Sequence, residues 1–307
     1  MDIVILLVGF SIGLVLLVKG ADEMVSSAVQ IALKFKLPSS IIGATFIGFG
    51  TSAPELFAST GAALKGDLDL GIGNIVGSNI ANSLLVVAVL YIALPKDFSQ
   101  KIKLNQISPV WMAILTTVFV STYVLTKEFP FLLGAVLLIL VIYVIYKMIS
   151  TESVDEGGLL REEKNYIWLR GGLSLLATLY GSQLVVDNAV AIAELFGVSS
   201  LIIGSTIIAI GTSLPEVAGT ISAAKMRKPD IVFGNIFGSN LFNIGLVGAT
   251  AIMISPGEIS SVIDYQLFIM YFVSFIVIFL SRNVIKRNSL VGYLFIIVYI
   301  LFLISLF

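Results

Sequence analysis

Long apolar runs separated by short polar breaks account for nearly the whole chain. The runs fall at roughly 3–33, 39–64, 70–94, 106–126, 130–149, 166–195, 200–224, 230–254, 262–281 and 289–306. Most approach or exceed the ~20 apolar residues that carry a helix across a hydrocarbon core about 30 Å thick, so each predicts a membrane-spanning helix. One extended polar segment, Thr151–Asn165 (TESVDEGGLLREEKN), divides the runs five and five. It reads as a solvated linker between residues 1–150, the first five-helix half, and 166–307, the second. The first run begins at Ile3 without a basic leader or an A-x-A-like cleavage site, and is read as a retained span.

Charge in the breaks orients the spans. If the chain alternates sides at every run, fifteen Lys and Arg, from Lys34 and Lys36 to Lys286 and Arg287, fall on one side and only Lys65 and Lys127 on the other. Basic residues collect on the cytoplasmic side. Both termini are therefore expected outside and the 151–165 linker in the cytoplasm, with the cell membrane as the expected location.

Composition agrees with this picture. Only 12% of residues are charged and 58% are hydrophobic, with a mean hydropathy of +1.05; soluble domains carry roughly 25% charged residues. The expected fold class is an all-α integral membrane protein whose surroundings are the lipid bilayer, with no soluble domain. A net charge of -1 gives no sign of nucleic-acid binding. The chain has neither Cys nor His, which removes thiolate and imidazole metal ligands and the usual nucleophile–base pairs of enzymes. No enzyme activity and no cofactor are expected, and carboxylates are the ionisable groups that matter.

A shift of 161 residues aligns Gly43–Asn82 with Gly204–Asn243, with 18 of 40 positions identical. With five spans per half, equivalent helices must cross the membrane in opposite directions. The expected architecture is therefore ten transmembrane helices in two inverted five-helix repeats. Many secondary transporters use this arrangement and place their ion site at the repeat interface, in interrupted helices.

The repeat contains GTSAPE at Gly50–Glu55 and GTSLPE at Gly211–Glu216. A carboxylate inside a membrane costs from ~2 to more than 10 kcal/mol unless paired or solvated. No Lys or Arg occupies the cores of these two runs, so the economical partner for Glu55 and Glu216 is a bound cation. Pro54 and its counterpart Pro215 lack an N–H and are expected to open their helices and free backbone oxygens. Thr51, Ser52, Thr212 and Ser213 add hydroxyls within a turn. Asn74, Ser78 and Asn82 lie four apart on one stripe, as do Asn235, Ser239 and Asn243. Oxygen-only ligands select hard cations such as Ca²⁺ and Na⁺. Gly73, Gly77, Gly234 and Gly238 read as helix-packing positions, Lys19 and Glu23 as an ion pair within the first helix, and Trp168 as an interfacial anchor. Asp187 has Ser26 as its repeat partner and no assigned role.

GTSAPE and GTSLPE, followed by GNIVGSN and GNIFGSN, resemble the two alpha-repeats of the cation/calcium antiporter superfamily. The form G-T-S-x-P-E is similar to the sodium/calcium exchanger branch, of prokaryotic type, rather than the proton/calcium branch. This resemblance implies four clustered cation sites and Ca²⁺ and Na⁺ as transported substrates. Glu55 and Glu216 would be the central ligands, with Thr51 and Thr212 offering backbone carbonyls to Ca²⁺. Ser52, Ser213, Ser78 and Ser239, with the backbone oxygens of Gly48 and Ala209, would serve Na⁺, and Asn82 and Asn243 would complete the cluster. Some relatives, potassium-dependent exchangers among them, carry Asp where this chain has Asn243, which argues against K⁺ dependence. Exchange of Ca²⁺ for Na⁺ by alternating access is the expected function, with the first and sixth spans sliding as gates and a monomer as the expected assembly. A proton/calcium exchanger using the same glutamates stays open as an alternative, because buried carboxylates also bind protons; a cation channel is the remaining one.

Overall fold

A computed structural model describes residues 3–101, 104, 107–150, 166–197 and 211–306. The 151–165 linker, Ala209 and the start of the second repeat block lie outside the described residues. The helices are α1 (Ile3–Phe35), α2 (Ser39–Thr51), α3 (Ala53–Leu64), α4 (Leu68–Ala93), α5 (Ile107–Thr126), α6 (Phe131–Ile149), α7 (Ile167–Leu195), α8 (Leu214–Lys225), α9 (Pro229–Ile254), α10 (Ile263–Ser281) and α11 (Ser289–Ile304). Among the described residues, seven helices are long and apolar enough to cross a membrane, or eight when α2 and α3, bent by 45°, are counted as one span. α11 has only 16 residues. Of the predicted 200–224 run, only the part from Gly211 onward is described.

Local chemistry sets the helix ends. Asp67 accepts from the Leu70 N–H at 2.9 Å and Asn288 from the Val291 N–H at 3.2 Å, satisfying donors that a first turn leaves open. Pro229 starts α9, where its missing N–H costs nothing. Gly66 (φ 78°) and Arg227 (φ 59°) stop α3 and α8 with a left-handed residue. These two residues are 161 apart, and the bounds of α3 and α8, Ala53–Leu64 and Leu214–Lys225, are offset by the same number.

α4 and α9 form the centre. Their apolar windows are 78% and 83% buried, against 22% for α1 and for α7. One core cluster joins Ile72, Ile75, Phe119, Leu137, Val141, Ile244 and Val247; a second joins Met24, Ile31, Val86, Leu90, Phe233 and Phe237, so α4 and α9 contribute to both. α1 and α7 pack against each other along most of their length. Gly9 faces Asn188, Gly13 faces Leu184 and Gly20 faces Thr178, so the pair runs antiparallel. Glu23 forms its ion pair with Arg170 of α7, not with Lys19 as the four-residue spacing suggested. The guanidinium reaches across the α1/α7 seam, a partner that helical spacing alone cannot reveal.

The short loops sort into two ends. At one, β1 (Ser99–Lys101) pairs antiparallel with β4 (Val284–Lys286), and Arg227 holds Asp97 at 2.6 Å, a bond that keeps the Asp97 carboxyl below its usual range. At the other, β2 (Glu128–Phe129) pairs with β3 (Gly257–Glu258), Lys127 bonds Asp264 at 2.9 Å, and the Ser260 N–H donates to Asp69. These groups match the two sides that alternation of the runs assigns.

The packing glycines divide by partner. A Cβ on Gly234 would lie 2.2 Å from the Ser40 carbonyl oxygen and one on Gly238 2.3 Å from that of Ala44, so α9 touches α2 backbone to backbone. Gly73 and Gly77 meet nothing within 4 Å among the described residues; their repeat-related contacts would fall on 201 and 205, outside them. Because the Ala44 backbone cannot swing aside, Gly238→Ala is expected to destabilise the fold by about 1–3 kcal/mol, as overpacking does. Thermal unfolding of the purified chain in detergent checks this, and an unchanged Tm would show that α9 can move off α2.

Candidate functional site

The two glutamates owe their positions to two prolines. Pro54 and Pro215 sit in the first turns of α3 and α8, and the preceding Ser52 (φ −81°, ψ 1°) and Ser213 (φ −92°, ψ 1°) leave helical geometry. The break at Ser52 bends the axis by 45° without unwinding it: the Ser52 N–H still donates to the Gly48 carbonyl at 3.2 Å. Upstream, Gly43–Gly48 is a π-helical turn, which widens the helix. Each break exposes a fresh helix N-terminus, and Glu55 and Glu216 occupy its first turn. Unsatisfied N–H groups and the helix dipole favour negative charge there.

Facing them are the crossing segments of α4 and α9. Asn82 and Asn243 each open a π-helical turn, Asn82–Val86 and Asn243–Gly248. Ser78 donates its hydroxyl to Glu55 Oε1 at 2.9 Å and accepts from Asn243 Nδ2 at 3.2 Å, linking the first glutamate to the second half. Ser239, its counterpart, donates to the Gly48 carbonyl at 3.2 Å. Thr51 donates to Ile47 O at 3.0 Å, beside Glu216. Glu55 and Glu216 are each only 1% exposed, and they lie close enough for their charges to interact. Asn74 is turned to α3, donating to Ser59 Oγ at 2.9 Å.

Of the residues singled out in the sequence, Ala209 lies outside the described residues. Thr51, Ser52, Ser78, Asn82, Ser213, Ser239, Asn243 and Gly48 are buried with the glutamates, and Thr212 is half-buried. Their hydrogen bonding is incomplete in one chemical sense. Ser52 Oγ, Glu55 Oε2, Asn82 Oδ1, Ser213 Oγ, both oxygens of Glu216 and Asn243 Oδ1 are buried with no hydrogen-bond partner among the described residues. Carboxylate and amide oxygens only accept, and leaving a buried acceptor unsatisfied costs about 1–3 kcal/mol, more when it is charged. A desolvated cation satisfies several of them at once. Among the described residues no group of three or more acidic side chains gathers, so the charge here is limited to two carboxylates ringed by neutral oxygens.

A cavity of about 390 Å³ reaches this region, lined by Gly211, Thr212, Pro54 and Pro215 and by Gln183, Asp187 and Glu194 of α7. Asp187, unassigned from sequence, accepts from Gln183 Nε2 at 2.6 Å in this exposed stretch. Two residues that sequence reasoning passed over are Asn79 and Asn240, both fully buried at the α4/α9 crossing and bonded to Asn243 and Asn82. Their signal was present in the duplicated GSN triplets, which end on them.

Comparison with known proteins fits this architecture. The family model of the sodium/calcium exchanger protein matches residues 5–151 and 166–307. Sodium/calcium exchanger MaX1 of Methanosarcina acetivorans is 31% identical, the match covering 96% of this chain and 97% of that one. Inner membrane protein YrbG of Escherichia coli is 31% identical, with 89% and 88% covered. The structure of the sodium-calcium exchanger NCX_Mj soaked with zero Na⁺ and Ca²⁺ superimposes with a TM-score of 0.83 at 28% identity, covering 100% of both chains. The form soaked with Na⁺ and Sr²⁺ gives 0.81, also at 28%, covering 98% of each. With its long apolar helices and these relatives, the chain is an integral membrane protein and belongs to the sodium/calcium exchanger family.

Proposed function

We propose that the protein exchanges Ca²⁺ for Na⁺ by alternating access, at a midplane site built around Glu55 and Glu216. The observation that carries this reading is the set of unpartnered buried oxygens on both glutamates and on Ser52, Asn82, Ser213 and Asn243. Two carboxylates are neutralised by one Ca²⁺, which accepts six to eight oxygen ligands, or by more than one Na⁺. Ser78, Ser239, the backbone oxygens of Gly48 and Ala209, and the carbonyls of Thr51 and Thr212 complete the proposed ligand set. An empty site keeps two like charges in low dielectric, so a closed, unloaded state is disfavoured and return without cargo is suppressed.

The proposed framework is ten spans in two inverted halves, 1–150 and 166–307, joined by the 151–165 linker. Three features support it: the common 161-residue offset of α3 and α8, the antiparallel α1/α7 pair, and the reciprocal amide bonds between α4 and α9. α1 and α7 serve as the sliding gates in this reading, since they are the least buried of the long helices and touch chiefly each other. The cavity beside α7 is then an access path from the outer side, with the linker cytoplasmic, the termini outside and the monomer as the working unit in the cell membrane.

Flux into proteoliposomes tests this directly. ⁴⁵Ca²⁺ uptake is expected in vesicles loaded with Na⁺ and absent in K⁺-loaded ones; uptake driven only by an imposed pH gradient would make the coupling ion a proton, and uptake without any counter-ion would make the protein a channel. Glu55→Gln and Glu216→Gln are each expected to reduce uptake to that of empty vesicles in a chain that still folds, as size-exclusion chromatography would report; wild-type flux in either variant would remove the glutamates from the site. The acidic mouth is expected to act by attraction over distance. The double change Asp187→Asn, Glu194→Gln should raise the KM for Ca²⁺ at low ionic strength and lose that effect once choline chloride shortens the screening length below about 10 Å. A salt-independent change in KM would point to direct ligation instead.

A further inference from the structure

The amides of Asn82 and Asn243 each have one bonded end and one bare end. Asn82 donates Nδ2 to Asn240 Oδ1 at 3.1 Å, and Asn243 donates Nδ2 to Asn79 Oδ1 at 3.0 Å and to Ser78 Oγ. Oδ1 of both is buried and has no hydrogen-bond partner among the described residues. Asn79 and Asn240 are 161 residues apart, as are Asn82 and Asn243, so the two bonds are reciprocal across the α4/α9 crossing.

An amide turned over exchanges its oxygen for its NH₂ group at almost no steric cost. Which atom of each amide is left bare is therefore decided by hydrogen bonding alone. Left to themselves, Asn82 and Asn243 would gain most by pointing N–H groups at the unsatisfied carboxylate oxygens, which would occupy the acceptors a cation needs. The surrounding atoms prevent this. Asn79 has its Nδ2 3.5 Å from the Asn240 carbonyl oxygen and 3.7 Å from the Met270 sulfur, neither of which can donate, so its Oδ1 is turned to Asn243. Asn240 donates Nδ2 to Ser83 Oγ at 3.2 Å, which turns its Oδ1 to Asn82. A flipped Asn82 or Asn243 would set oxygen against oxygen.

We propose that Asn79 and Asn240 are positioning residues that engage the nitrogen ends of the Asn82 and Asn243 amides and so keep their Oδ1 atoms free as cation ligands, instead of letting the amides turn into donors to the glutamates. The inference rests on the transport reading above and adds what sets the polarity of its site. Because acceptor-only atoms fix Asn79 whereas a hydroxyl, able to donate or accept, fixes Asn240, the hold on Asn243 is the firmer.

The test is a mutant cycle read by Ca²⁺ binding and by transport. Asn79→Leu keeps similar bulk and removes the acceptor. The half-saturating Ca²⁺ for thermal stabilisation of the purified chain should rise about 10-fold, the lower end of the range for residues that orient metal ligands, and the KM for ⁴⁵Ca²⁺ uptake should rise with it while the maximal rate changes less. In an Asn243→Asp background most of this effect should vanish, since a carboxylate presents oxygen whichever way it turns. Unchanged affinity in Asn79→Leu, or an equal loss in both backgrounds, would overturn the proposal and leave Asn79 a packing residue. Asn240→Leu with Asn82→Asp poses the same question at the other amide, so one variant that fails to fold leaves the other to decide. A wild-type chain that takes up no Ca²⁺ and is not stabilised by it is a separate outcome, which overturns the transport reading and this one together.

Discussion

Two carboxyl groups in the middle of an apolar helix bundle are the constraint to which the rest of this structure answers. Glu55 and Glu216 are each 1% exposed, and among the described residues neither has a basic side chain beside it. Charge in such surroundings is tolerated only where helix ends, amides and hydroxyls replace water. The chain supplies all three. Proline breaks place each glutamate at a helix N-terminus, Ser78 donates to one of them, and the amides and hydroxyls around them keep oxygens free. What a well-packed soluble core would treat as a defect, a cluster of unsatisfied acceptors, is what the proposed hard-cation site would use.

Holding those groups in register demands a rigid centre. α4 and α9 meet the requirement through close backbone contact at Gly234 and Gly238 and through the amide bonds at their crossing. The π-helical turns that begin at Asn82 and Asn243 start at the residues that make those bonds. Such turns are frequent at functional sites.

The peripheral pair is built differently. α1 and α7 approach through glycines and are joined by the ion pair Glu23–Arg170; α1 sets Met24, Ala28 and Ile31 into the core, while its first half and most of α7 stay outside it. A pair joined along its length to itself, with much of its outer surface free of the core, has fewer contacts to break in a shift than α4 and α9, which are buried on most sides. This division of rigidity supports the proposed roles of α1 and α7 as gates and of α4 and α9 as scaffold.

The sequence by itself determined the helices, because a backbone in lipid must satisfy its own hydrogen bonds and a long apolar run has few other ways to do so. Helix bounds follow the apolar runs closely: 3–33 became Ile3–Phe35, 130–149 became Phe131–Ile149 and 262–281 became Ile263–Ser281. The glutamates, their prolines and the oxygens around them were also legible, since the repeat doubled a weak local signal and a buried acid stands out in an apolar run. The tertiary structure decided what depends on contacts between distant segments. It chose Arg170 over Lys19 as the partner of Glu23, and it turned Asn74 toward α3. It also drew Asn79 and Asn240 into the bonds that orient their neighbours. A side chain's periodicity tells which face it occupies, but the direction of its hydrogen bonds is fixed by atoms that here lie 158 and 164 residues away, and only the folded chain brings them together.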